Sequence, residues 1–91
     1  MSKSKGTRRE HQSRRLLEAA GYRVTRAAGS MGAWDLVAIG AVDVVLVQVK
    51  SNRWPGRAEM AALVSFPVPA GARKLVHRWR DRVGVPDVRE L

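Results

Sequence analysis

Three polar residues of this sequence have the types and the spacing that could do chemistry. Asp35 lies near the start of one apolar run, and Gln48 and Lys50 lie near the end of the next. Packing alone would not select them, because burying such groups costs free energy unless each finds a partner. A carboxylate and an amide oxygen suit a hard divalent cation, and an ammonium suits an anionic substrate. Together, the three residue types predict a metal-assisted reaction on an anion.

The two runs that carry these residues predict a hairpin that would bring them together. Residues 34–39 and 44–50 are rich in strand-forming side chains and are separated by a short connection containing glycine. A connection that closes symmetrically makes Asp35 face Gln48, with Cβ atoms about 5 Å apart. Lys50 lies two positions beyond Gln48 and so projects from the same face. A slip of one residue in the register would destroy the arrangement.

A fourth candidate, Glu10, lies in the first predicted helix. Helical spacing over 8–20 places Ser13, Leu16, Leu17 and Ala20 on one face, and Glu10 lies two turns before Leu17 on the same stripe. If this stripe packs on the sheet, Glu10 points at the end of the sheet. Alone, a glutamate in a first turn is better explained by the helix dipole. Beside the other three residues, a role in the site becomes the better interpretation.

The remaining elements predict a small α/β domain with a mixed sheet and a helix packed on it. In chain order they are a strand at 22–28 before the hairpin, then a helix at 58–64, a strand at 74–80 and a possible strand at 88–91. Residues 1–7 are small and basic, which predicts a flexible arm. The rest, 8–91, predicts one domain, because so short a chain has no room for a second.

Composition narrows the class of partner. The chain has 91 residues with 17 Lys and Arg against 8 Asp and Glu, a net charge of +9. This excess favours a polyanion, and nucleic acid before others. The absence of cysteine excludes disulfide scaffolds, thiolate zinc sites and cysteine nucleophiles. No apolar run approaches the roughly 18 residues of a membrane span, and the basic start lacks a signal-peptide core. We expect an intracellular protein with no membrane partner.

The candidate residues resemble the PD-(D/E)XK nuclease superfamily and, more narrowly, its archaeal-type Holliday junction resolvase branch, which also occurs in phages. The matching features are Glu10, Gly29-Ser30, Asp35-Leu36-Val37-Ala38 and Gln48-Val49-Lys50, with Lys5-Gly6, Gly21-Tyr22 and Arg26 around the first helix and the serine loop. The resemblance runs from about Lys5 to Ser51; from Trp54 onward only the order of helix and strand agrees. The family usually has Glu where this chain has Gln48, which keeps an oxygen ligand but removes a charge.

The resemblance implies a restriction-endonuclease-like fold and structure-specific, metal-dependent cleavage of four-way DNA junctions by a homodimer. The implied catalytic residues are Glu10, Ser30, Asp35, Gln48 and Lys50. Mg²⁺, or Mn²⁺ in its place, would be held by Glu10, Asp35, Gln48 and the Val49 carbonyl. Basic residues near this site are predicted to contact DNA phosphates: Lys3, Lys5, Arg8, Arg9, Arg14, Arg15, Arg26 and Arg53. The implied location is the cytoplasm of a prokaryotic cell, or of the infected host if a phage encodes the protein.

Two alternatives stay open at this point. A nuclease of the same superfamily that acts on another branched, nicked, mismatched or modified DNA would share every residue above. A non-catalytic DNA-binding module would share the charge but would have no need for Asp35 and Lys50. Among other residues, Trp54 is a candidate for DNA contact in its loop. Glu59 is predicted to be a solvated charge and His77 an ordinary strand residue.

Overall fold

The computed structural model describes residues 5–27, 32 and 34–91, with the side chains of residues 5 and 6 left out. These residues form two helices and a five-stranded mixed sheet. The elements are α1 Lys5–Ala19, β1 Arg23–Arg26, β2 Leu36–Ile39, β3 Val44–Ser51, α2 Arg57–Ser65, β4 Ala72–Trp79 and β5 Asp87–Glu90. The predicted α/β class is therefore confirmed. Neither helix in these ranges is long and apolar enough to cross a membrane.

Helix α1 begins three residues earlier than predicted and ends where its sequence requires. Residues 5–7, predicted as part of the arm, are helical, and residues 1–4 of that arm lie outside the described residues. At the other end Gly21 has a φ of +100°, a conformation that glycine adopts without strain. Tyr22 N–H donates to the Leu17 carbonyl and Gly21 N–H to that of Glu18, the paired bonds of a Schellman cap. The cap turns the chain from α1 into β1.

The hairpin of β2 and β3 has the predicted register up to its last pair. Strand order in the sheet is β1-β2-β3-β4-β5, with β3 and β4 parallel and the other neighbours antiparallel. Ile39 pairs with Val44 and Leu36 with Val47, as symmetric closure requires. Asp35 then departs from the ladder, because its N–H donates to the carbonyl of Val47 at 2.9 Å. The predicted direct pairing of Asp35 with Gln48 is therefore not part of the sheet.

The two helices cover opposite faces of the sheet. Leu17 of α1 packs against Leu36, Val45 and Val47, whereas Leu63 of α2 belongs to a second cluster on the other face. That second cluster contains Trp34, Leu46, Leu63 and Val76, and the ring of Trp34 meets that of Phe66 edge-on. Alternation along β3 puts its even-numbered residues on the α2 side. Gln48 and Lys50 therefore face α2, and Glu10 reaches the end of the sheet from the other side.

Candidate active site

Asp35 lies immediately before β2, with its carboxylate turned onto the backbone of β3. Its Oδ2 accepts a hydrogen bond from the Val49 N–H at 2.8 Å. Burial raises the pKa of Asp35; the bond from Val49 opposes this rise, the nearby charge of Glu10 adds to it, and Lys50 and Arg26 also oppose it. The anionic form of this carboxyl is thus poorly solvated, so that a cation bound beside it would stabilise it.

Gln48 and Lys50 both bind Glu59, a residue whose sequence context predicts a solvated charge. The Gln48 Nε2 donates to Glu59 Oε2 at 3.2 Å, and the Lys50 Nζ donates to Glu59 Oε1 at 3.3 Å. Gln48 is only 7% exposed, and its Oε1 has no hydrogen-bond partner among the described residues. An orphaned buried oxygen of this kind is available to a ligand. The prediction that Glu59 is merely a solvated charge is wrong.

The order of the elements carried the signal that could have located Glu59. Helix α2 connects the parallel strands β3 and β4, so it starts near the end of β3 and runs back across the sheet. Glu59 is in the first turn of α2 and therefore lies above the end of β3. Gln48 and Lys50 occupy that same end of the strand.

Glu10 approaches this region from α1 and is held by an arginine. Its Oε1 accepts a hydrogen bond from Arg26 Nε at 3.1 Å, and its side chain is 18% exposed. Both residues act electrostatically on Asp35. The structure thus brings Glu10 and Arg26 close to Asp35, which itself contacts β3 through Val49. No set of three or more acidic or histidine side chains placed to hold a metal occurs within the described ranges, and Ser30 lies outside them.

A buried polar network fixes α1, and with it Glu10, against β4. Ser13 Oγ accepts a hydrogen bond from Trp79 Nε1 at 2.8 Å and lies 2.9 Å from His77 Nδ1. Burial lowers the pKa of His77 to about 4, so the ring is neutral and shares a hydrogen bond with the Ser13 hydroxyl through Nδ1. Ser13 follows Glu10 by one helical turn. His77 is therefore a partner of Ser13 in the core rather than an ordinary strand residue.

Arg9 has surroundings that favour a structural role over the predicted phosphate contact. It is 6% exposed, and its guanidinium carbon lies 5.3 Å from the centre of the Trp79 ring. It donates to Gln12 Oε1 at 2.9 Å and to the Arg80 carbonyl at 3.2 Å. The charged group is thus enclosed by protein. It stacks on the same tryptophan that anchors Ser13.

The other predicted DNA-contacting residues differ in exposure and in whether they form ion pairs. Arg8, Arg15 and Arg53 are exposed, while Arg14 pairs with Glu18 and Arg26 with Glu10. Lys3 and the side chain of Lys5 lie outside the described residues.

Trp54 does not stand free for base stacking as its loop position suggested. The side chain packs against the α2-side core cluster. The guanidinium carbon of Arg78 lies 4.8 Å from the centre of its ring, a cation–π contact. Arg78 is in turn hydrogen-bonded to Asp87. Core packing and an arginine therefore occupy the tryptophan, which argues against DNA contact.

Comparison with known proteins identifies the family to which the chain is similar. The family described as archaeal Holliday junction resolvase (Hjc) matches residues 1–83. Among solved structures, the chain is similar to Archaeoglobus fulgidus Hjc, a Holliday junction resolvase from an archaeal hyperthermophile, with 28% sequence identity and a TM-score of 0.72. The similarity covers 97% of this chain and 72% of that one. No curated protein matches the chain in sequence. The predicted family resemblance is therefore confirmed. The family match extends well beyond Lys5 to Ser51, the segment that contains the matching motifs.

Proposed function

The chain belongs to the archaeal Holliday junction resolvase family, and we propose that this nuclease cuts four-way DNA junctions symmetrically, as a homodimer with Mg²⁺ or Mn²⁺ in each site. The observation that carries the proposal is that Asp35 binds the Val49 N–H of β3, between Gln48 and Lys50, whose side chains both bind Glu59. These residues supply a carboxylate, an amide oxygen and an ammonium near the end of one hairpin, and the chain belongs to a family of junction-resolving nucleases, which supports the proposal. The cytoplasm, where such DNA is processed, is part of the same proposal.

The residues at the site fit a divalent cation. Asp35 offers a partly desolvated carboxylate, and Gln48 offers a buried Oε1 with no partner in the described part of the chain. Glu10 and the Val49 carbonyl would complete the proposed ligand set, with Glu10 giving up its contact to Arg26. A bound divalent cation supplies charge stabilisation at the scissile phosphate and lowers the pKa of an attacking water. Hard oxygen donors of this type are those Mg²⁺ and Mn²⁺ prefer.

The chain's own side chains would do the remaining work of the reaction. Val49 N–H fixes one oxygen of Asp35, which leaves the other for the cation. Lys50, oriented by Glu59, would hold the attacking water or stabilise the negative charge that develops on the phosphoryl oxygens. Ser30 is proposed to hydrogen-bond the substrate or to support the site.

The exposed arginines are proposed to position the junction through its phosphates. Arg8, Arg15 and Arg53 are exposed, and Lys3, Lys5, Arg14 and Arg26 are retained in the proposed contact set. Contacts with phosphates give affinity and orientation without reading sequence. That property suits an enzyme that recognises the shape of a DNA branch.

A homodimer is proposed because a junction is resolved by two cuts. Two copies related by a two-fold axis place two equivalent sites on two equivalent strands. The single chain also leaves Ile39, Val42 and Val44 exposed, and apolar side chains of this kind would be covered by a second copy.

A panel of DNA substrates tests the proposal. A synthetic four-way junction, a linear duplex, a nicked duplex and a single strand are each incubated with the protein, with and without Mg²⁺. We expect cleavage of the junction alone, and only with the metal. Preferential cleavage of the nicked duplex would favour a related nuclease with another substrate. Binding of DNA without any cleavage would favour a non-catalytic module.

A further inference from the structure

Position 48 is where this chain departs from the usual pattern of its family, and Glu59 of α2 faces it. The Glu59 carboxylate accepts one hydrogen bond from Gln48 and one from Lys50. We propose that Glu59 is a positioning residue of the active site. It supplies from α2 the negative charge that position 48 lacks, and it orients the Gln48 amide for metal binding. This inference deepens the proposed function and rests on its metal dependence.

The contact with Glu59 decides which atom Gln48 presents to the site. A carboxylate only accepts hydrogen bonds, so the amide atom that faces it must be the Nε2 donor. The Gln48 Oε1 then points elsewhere, buried and without a partner among the described residues. Rotating the amide would set two acceptors against each other and would turn N–H groups, which repel a cation, toward the site. Glu59 therefore keeps an oxygen ligand available.

Glu59 also changes the electrostatic potential at the ligand it orients. Its side chain is 38% exposed and that of Lys50 is 29% exposed, so their ion pair is partly hydrated and weak. The Glu59 carboxylate offsets the positive charge of Lys50, which would otherwise repel a cation bound nearby. Removing an outer residue of this type typically lowers metal affinity by about 10- to 100-fold. Gln48 and Glu59 together carry one negative charge. A glutamate at position 48 of β3 with a glutamine at position 59 of α2 would carry the same charge.

The C-terminal end of α2 is anchored, which limits how far Glu59 can move. Lys74 of β4 is 8% exposed, and its Nζ donates to the carbonyls of Leu63 at 3.0 Å and Phe66 at 2.9 Å. A buried cation at the C-terminal end of a helix also complements the helix dipole. With its far end anchored, α2 has little freedom to lift Glu59 away from Gln48.

Calorimetric titration of Mn²⁺ into the DNA-free protein tests the inference. The variants are Glu59→Gln, the exchanged double variant Q48E/E59Q and the control Glu18→Gln, which removes an acid paired with Arg14 on α1. We expect Glu59→Gln to weaken Mn²⁺ binding about tenfold. The double variant restores one acid and one amide with the hydrogen bond reversed, and should regain the wild-type affinity. Glu18→Gln should bind as the wild type does.

Thermal unfolding of each variant shows whether Glu59 positions the metal ligand or only stabilises the fold. Unchanged Mn²⁺ affinity in Glu59→Gln, or no recovery in the double variant, would overturn the inference. A lowered melting temperature with unchanged affinity would assign Glu59 a purely structural role, which also overturns it. If the wild type itself binds no Mn²⁺ and cuts no junction, the proposed function fails instead.

Discussion

At the scale of single residues, the proposed chemistry depends most on the carboxylate of Asp35. Asp35→Asn keeps the shape of the side chain but removes the charge that would hold the metal. We expect cleavage of the junction to fall to background while junction binding persists, because repulsion of the phosphates is also removed. Since burial raises the pKa of Asp35, its charge disfavours folding, and the variant should be at least as stable as the wild type.

Single-turnover cleavage, a binding titration and thermal unfolding measure these three effects. Asp43→Asn is the matched control, because Asp43 lies at the turn end of the same hairpin and accepts a hydrogen bond from Tyr22. The control should cut normally. Wild-type cleavage by purified Asp35→Asn would remove Asp35 from the site.

Gln48→Glu should have opposite effects on metal binding and on the stability of the metal-free protein. The new carboxylate adds Coulomb attraction for a divalent cation in a partly desolvated site. It also replaces Nε2, which lies 3.2 Å from Glu59 Oε2, by an oxygen that repels it. We expect the Mg²⁺ concentration for half-maximal cleavage to fall and the melting temperature without metal to drop. A half-saturation point that stays constant or rises would place Gln48 outside the coordination shell.

At the scale of elements, the attachment of α1 to β4 makes stability depend on pH. His77 has a pKa of about 4 in the fold, against an ordinary 6.5. Between pH 4 and pH 6.5 the His77 ring is more often protonated in the unfolded chain than in the folded protein. The free energy of unfolding is therefore highest above pH 6.5 and falls as the pH is lowered. The loss from this group reaches about 3 kcal/mol by pH 4. Urea denaturation at several pH values measures it, with His77→Gln as the reference. An equally steep loss in His77→Gln would show that other groups cause it.

Local patterns in the sequence predicted the elements and the hairpin register, whereas contacts between distant elements escaped them. Alternation in β2 and β3 permits one register that buries the apolar residues, and Gly21 marks the end of α1. Asp35 was placed opposite Gln48 because nothing in the sequence shows that the ladder stops at Leu36. In the folded chain, Glu59 of α2 contacts the hairpin residues of the proposed site.

Two side chains illustrate tertiary contacts that local sequence patterns do not predict. Arg9 belongs to a run of basic residues at the start of α1, which normally predicts a solvated face. Its burial depends on Trp79, which is far away in sequence and becomes a neighbour only when α1 packs on β4. Glu59 looked like a solvated helix charge for the same reason, because the crossover of α2 brings it over β3.

At the scale of the whole molecule, the net charge of +9 should make junction binding strongly dependent on salt. Each phosphate contact on duplex DNA contributes a slope of roughly −0.9 in log affinity against log salt. Arg15→Gln removes one exposed arginine of the proposed DNA surface and should flatten the slope by about that amount. Arg89→Gln on β5 is the control, since Arg89 is exposed but outside the predicted contact set. Equal slopes for the two variants would show that Arg15 makes no phosphate contact.

The most direct test of junction resolution by two equivalent sites is to map the cuts on one four-way junction with each strand labelled in turn. With Mg²⁺ present, we predict cuts in two strands related by the two-fold axis, at the same distance from the branch and at equal rates. Cuts confined to one strand, or distributed along the arms as in a linear duplex, would contradict the account.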